Sequence, residues 1–439
     1  MPLVATTLMF VYALLPLGAW AFALRRWQRH GQVGPAGSLL VTCVIATLAG
    51  IGVVLLNTWL LEGHVSTSDA ARTIHVCVAA ACAIKIADWW SMGRVCRWLG
   101  VGREQARRGR GMLLLAFLLQ RAFMLTVTLG YVIALLLVYR PKVTDGTTPT
   151  ARKLAWHQER FTSADGVSLS GWFLPAPGKP ADNGGATTVL ICHGVGSRKQ
   201  QQLGLAEFLV GQGYNVMLFD FRAHGASGGN AFSYGVRERL DVLAAARQVR
   251  QRYPDRARRI VGLGMNTGAA ALVMAAADRE GDLIDGLVVV EPWAGFDGMA
   301  TEVSRQLLPA GLRQVARWVS LPLASCHAGA WLGSWDLAAS ADALWPRPVL
   351  VIHGRGQTFV APMQEMQLYQ WLPGPRDEFW PSDNYQISRT RVKSVRNDAD
   401  LVKLLFRQWM GLVDPTTGDA GARARIIEFL HDARPQSVI

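Results

Sequence analysis

Most of the signatures that assign a function by themselves are missing from these 439 residues. No Cys/His spacing suits a zinc ion, no P-loop is present, and no downstream acidic residue completes a dinucleotide fingerprint around Gly262-x-Gly264. No cofactor and no metal is therefore expected. Cysteines number six, and four of them (Cys43, Cys77, Cys82, Cys96) fall in the apolar N-terminal third. Elsewhere there are only Cys192 and Cys326, so no disulfide framework is implied. Internal repeats and low-complexity tracts are absent. Acidic residues are scarce at the start: residues 1–145 carry 14 Lys/Arg against 5 Asp/Glu, and residues 146–439 carry 31 against 27. The basic excess is juxtamembrane in placement. It reads as topology and anionic-lipid contact, and no nucleic-acid partner is expected.

What the N-terminal third has is long apolar runs. Leu3 to Leu24, Ser38 to Leu61 and Met112 to Tyr139 are each long enough to cross a bilayer. Ile74 to Trp90 is a weaker span, interrupted by Lys85 and Asp88. The first run has no basic segment before it, and Arg25-Arg26 follows it, so it reads as a transmembrane helix and not a signal peptide. The loop after Leu24 carries Arg25, Arg26 and Arg29; the loop after Trp90 carries Arg94, Arg97, Arg103, Arg107, Arg108 and Arg110. Four spans put both basic loops in the cytoplasm, as the positive-inside rule asks. The N-terminus and everything after Tyr139 then lie outside. Lys85 and Asp88, three apart, share one helix face. They read as an ion pair near the cytoplasmic end, with a transport or proton pathway as the alternative.

The C-terminal part reads as alternating strands and helices. Thr187 to Cys192 is a buried-strand run ending in His193-Gly194. Asn215 to Arg222 is the next strand, followed by Ala223-His224-Gly225-Ala226-Ser227-Gly228-Gly229. Ile260 to Gly264 is a short strand, then a tight turn at Met265-Asn266-Thr267 with Gly264 and Gly268 flanking it, then an alanine-rich helix. That is the context of a G-x-S-x-G nucleophile elbow. In this order and spacing, the motifs resemble the α/β-hydrolase superfamily, closest to its bacterial membrane-associated and serine-aminopeptidase-like branches, over residues ~157–412. The resemblance implies an α/β-hydrolase fold: a mostly parallel sheet flanked by helices, with a helical lid insertion, here preceded by a transmembrane helical bundle. It implies oxyanion donors from the backbone amides of Val195 and Thr267, and structural roles for the landmarks His193, Gly194 and His224.

The residues that would do the chemistry are replaced. Asn266 stands at the nucleophile position, and a carboxamide cannot be deprotonated to attack a carbonyl. In the run His353 to Pro362, Gln357 takes the acid position, and in Phe379 to Tyr385, Asn384 takes the base position. Three replacements inside otherwise intact motifs point to a hydrolase fold without its triad. Asn tolerates positive φ better than most residues, so the elbow can keep its shape without its chemistry.

The expected organisation is a membrane region over 1–140 with about four helices, a linker over 141–156, the α/β domain over 157–412 with its lid at about 296–345, and a tail over 413–439 with a short helix from Ala420 to Asp432. A bacterial inner-membrane protein with a periplasmic α/β domain follows. Two readings stay open. One is a non-catalytic binding or accessory module, with membrane lipids, an acyl or lipid-like ligand, or a partner protein as its contacts. The other is an active esterase, peptidase or acyltransferase with a rearranged site.

Overall fold

The computed structural model describes residues 34–61, 64–65, 67–98, 110–139, 142–177, 186–307, 310–353, 362–380 and 420–432. Helices α1 (Gly34–Leu61), α2 (Thr67–Trp98) and α3 (Arg110–Val138) come first. Strands β1 (His157–Thr162), β2 (Ser168–Leu174) and β3 (Thr187–Cys192) follow, then α4 (Leu203–Gly211), β4 (Asn215–Asp220), α5 (Glu238–Arg252) and β5 (Arg259–Met265). After these come α6 (Thr267–Ala276), β6 (Gly286–Val290), α7 (Phe296–Leu307) and α8 (Ala310–Ala328). The last are β7 (Val349–Ile352), α9 (Pro362–Trp371), β8 (Arg376–Phe379) and α10 (Ala420–Asp432). The run Leu3 to Leu24 and the positions Gln357 and Asn384 lie outside the described residues.

The chain forms two compact units that do not follow its linear order. One unit contains α1 to α3 and also α8, which the sequence reading had placed in a lid of the α/β domain. Within it, α1 and α3 keep apolar residues uncovered along one face among the described side chains. On α1 the exposed face carries Val44, Ile45, Leu48, Ile51 and Leu55; on α3 it carries Leu115, Leu118, Leu119 and Phe123. These spacings trace one side of a helix. Among the described residues, Thr67–Ala87 is the one helical stretch long and apolar enough, by length and composition, to cross a membrane; Thr42–Leu55 and Thr126–Leu135 are shorter apolar stretches. The weak span over Ile74 to Trp90 therefore sits inside a continuous 32-residue helix. Lys85 is half-buried on it, and the Asp88 side chain lies outside the described ones.

The other unit is built on an eight-stranded sheet in the order β8-β7-β6-β5-β3-β4-β2-β1. Pairs β1–β2 and β2–β4 are antiparallel, and the remaining five are parallel. The central strands β3, β4 and β6 are buried at every residue. Continuous apolar runs are what a parallel sheet covered on both faces requires. The main core joins Val189, Ile191, Leu218, Leu263, Val288 and Leu350 of the sheet to Leu205 and Leu209 of α4. Ala422, Ile426, Phe429 and Leu430 of α10 belong to the same core. The sequence reading ended the domain at 412. The unit extends through α10, because that helix's apolar stripe finds its partner on the sheet.

Candidate functional site

The elbow is present and its geometry explains its glycines. A Cβ on Gly264 would lie 2.6 Å from the Ala269 Cα, and one on Gly268 would lie 2.4 Å from the carbonyl oxygens of Cys192 and His193. Those neighbours are backbone, so only glycine lets β5, α6 and β3 come this close. Between the two glycines Asn266 adopts φ 53°, ψ −117°, a strained conformation for an L residue.

Asn266 is held there by its own side chain. Its Oδ1 accepts the Thr267 amide at 2.8 Å and the indole N–H of Trp293 at 3.2 Å. Trp293 is fully buried. The Thr267 hydroxyl oxygen in turn accepts the Val195 amide at 2.8 Å. Both amides expected as oxyanion donors are thus already engaged by side chains of the elbow itself. An oxyanion hole works when its donors aim at the place where charge develops. Here the Thr267 amide is bonded to the Asn266 side chain, and the Val195 amide to the Thr267 hydroxyl.

The two landmark histidines are fixed as loop ties. His193, buried, accepts the Phe221 amide at Nε2 (3.1 Å) and donates from Nδ1 to the Gly194 carbonyl (2.8 Å). His224 accepts the Gly196 amide at Nε2 (3.0 Å) and donates from Nδ1 to the Arg222 carbonyl (2.9 Å). In each ring Nε2 accepts an amide and Nδ1 faces a carbonyl, which specifies one neutral tautomer. Burial pushes the His193 imidazole below its ordinary value, against the pull of Asp220.

The polar residues around these loops are clamps as well. The Arg222 guanidinium bonds Asp241 through Nε (3.0 Å), Asp165 through Nη1 (2.6 Å) and Ser163 through Nη2 (3.1 Å). Burial raises the Asp165 carboxyl, but Arg222 and Arg237 more than reverse this and hold it at about 2. Lys199, buried, pairs with Asp220, and its ammonium lies 5.0 Å from the centre of the Trp172 ring. Asp220 also accepts the Lys199 and Ala226 amides at 2.8 and 2.9 Å. Buried charges that are paired and fully hydrogen-bonded specify one loop geometry.

Sequence reasoning missed three residues at the sheet's C-terminal edge. Met265 pairs with Val290 and Val290 with Ile352, so Asn266, Glu291 and His353 stand next to one another along that edge. Glu291 is buried at φ 50°. His353, fully buried, meets Glu378 through Nε2 at 3.1 Å and stacks on Trp380 at 3.9 Å. Trp293 is the third. The run Glu291-Pro292-Trp293 directly after an apolar strand was the available signal.

The family match agrees with this architecture. Residues 185–328 match the family described as serine aminopeptidase, S33. The uncharacterized protein YfhR of Escherichia coli K12 is 28% identical over 225 residues, covering 50% of this chain and 70% of that protein. The uncharacterized protein YqkD of Bacillus subtilis is 27% identical over 219 residues, covering 49% and 67%. Among solved structures, the esterase Pf2001 of Pyrococcus furiosus is 26% identical with a TM-score of 0.45, covering 62% of this chain and all of that one (100%). The sheet order, the elbow and the family match together give the second unit an α/β-hydrolase fold.

Proposed function

We propose that this α/β-hydrolase-fold chain is a membrane-anchored, non-catalytic module of the bacterial inner membrane, with its α/β unit in the periplasm. One observation carries the non-catalytic part. Asn266 replaces the nucleophile, and the amides of Thr267 and Val195 are occupied by Asn266 Oδ1 and Thr267 Oγ1. An acyl group entering the elbow meets no nucleophile there, and both of its expected donors are already bonded. The ligand is then an acyl or lipid-like group held by apolar contact, or a partner protein. The uncovered leucine and phenylalanine faces of α1 and α3 support the membrane part, because a soluble protein rarely leaves such faces open. Lys85 and Asp88 lie on one helix of that unit. A fluorophosphonate probe tests the reading: the purified chain stays unlabelled, and a labelled residue at the elbow refutes it.

The rearranged-enzyme reading is favoured by one feature, the buried Glu291 held at positive φ beside Asn266. Strained residues of this kind gather at working sites. Under that reading Glu291→Gln abolishes ester turnover; under the first there is no turnover to abolish.

A further inference from the structure

The helical unit contains a helix that the order of the chain would assign elsewhere. Helix α8 belongs to the same compact unit as α3, although almost the whole first part of the α/β unit separates them in sequence. A Cβ on Gly130 of α3 would lie 2.5 Å from Cγ1 of Val319. Close backbone approach at a glycine is how helices associate where no water drives them together. His327, eight residues after Val319, accepts or donates at Nδ1 to the Tyr139 hydroxyl at 3.1 Å, nine residues after Gly130. The two contacts run in the same order along both helices. Helices α3 and α8 are therefore parallel and side by side over about 12 Å.

The polarity of α8 is inverted relative to a water-facing helix. Ser320 and His327 are buried, while Trp318 is 79% exposed; Ser325, seven residues after Trp318 and so on its face, is buried near the end of the helix. The exposed stripe runs Gln314, Trp318 and Pro322, with Leu321 half-exposed beside it. Arg313 falls on the inward stripe with Ser320, Ala324 and His327, at i, i+7, i+11 and i+14, and is half-buried. Ser320 and His327 turned inward beside Ala324, with Trp318 and Pro322 turned outward, is an arrangement that suits hydrocarbon; Gln314 is exposed and Arg317 half-buried nearer the start of the helix. Trp331, just past the helix and 45% exposed, suits the interfacial belt.

We propose that α8 lies in the bilayer beside α3, its Trp318 stripe against lipid chains, so that the insertion of the α/β unit is a second membrane attachment and not a lid. This rests on the membrane reading of α3 given above. Parallel packing at a common level then gives both helices the same depth.

The test uses the full chain in membranes of phosphatidylethanolamine and phosphatidylglycerol, carrying the photo-crosslinker benzoylphenylalanine in place of Leu119, Trp318 or Gln212. Leu119 is on the exposed face of α3, and Gln212 is exposed in the α/β unit. The expected result is phospholipid adducts at 119 and 318 in comparable yield, and none at 212. Adducts at 119 with loss of the signal at 318 overturn the placement of α8 and leave membrane anchoring standing. No lipid adduct at either position overturns the membrane reading, and the α8 proposal with it. Adducts at 318 to protein in place of lipid also overturn the proposal.

Discussion

The Thr267 hydroxyl accepts the Val195 amide at 2.8 Å. This bond ties the loop after β3 to the first turn of α6. It makes the elbow a self-satisfied structural joint. Thr267→Val removes the acceptor and leaves a buried amide unpaired, which costs about 1–3 kcal/mol. Thr267→Ser keeps the acceptor and most of the stability. Thermal unfolding of the two variants checks this; equal midpoints contradict it.

Asn266→Ser restores a hydroxyl at the tip of the elbow. It also removes the Oδ1 that holds the Thr267 amide and the Trp293 indole. The resemblance puts Asn384, and no histidine, at the base position. His193 and His224 have both ring nitrogens engaged. The expected outcome is no ester hydrolysis above the wild type, read with short p-nitrophenyl esters. Clear turnover in this single mutant means that a base lies near the elbow after all.

Arg222 is buried against Asp241, and both are almost inaccessible. Arg222→Ala leaves a buried carboxylate without its partner, and breaking such a pair costs about 3–5 kcal/mol. The variant should lose its cooperative unfolding transition or move it sharply downward in urea. A shift no larger than that of an exposed arginine such as Arg152→Ala would show that the clamp carries little.

The α/β unit should lose stability on mild acidification. Burial lowers the imidazole of His193 and, against the pull of Glu378, that of His353. In the unfolded chain these imidazoles take up protons near pH 6.5. Below that pH the unfolded state binds more protons than the folded one, so stability is complete above about 6.5 and falls as pH drops toward the depressed folded values. Asp165, held at about 2, loses its contribution only at lower pH, below the ordinary range of a carboxylate. Urea midpoints at pH 7.5 and 5.5 test the sign. Burial raises the carboxyls of Glu238 and Asp241, whose protonation works against this loss; an equal or higher midpoint at 5.5 means that these two carboxyls outweigh the two histidines.

The fold was legible because its signals are local. Buried apolar runs such as Thr187 to Cys192, and glycines at 264 and 268 where backbones nearly touch, specify strand–turn–helix units without tertiary information. The place of Asn266 at the tip of the turn was legible for the same reason. The engagement of Val195 and Thr267 was not legible. It depends on a side chain from α6 reaching the loop after β3, a contact spanning 72 residues. Trp293 and Glu291 were hidden because a strand end carries no periodicity that says where its last side chains point. The placement of α8 was missed for the opposite reason. Its sequence position suggested a lid, while its partner, Gly130, lies far upstream.

The most direct test of the central claim is turnover of short acyl esters by the purified full-length wild type, measured beside Asn266→Ala. The expected result is no turnover above background in either protein. Turnover by the wild type that Asn266→Ala abolishes would contradict the non-catalytic elbow and make Asn266 part of a working site.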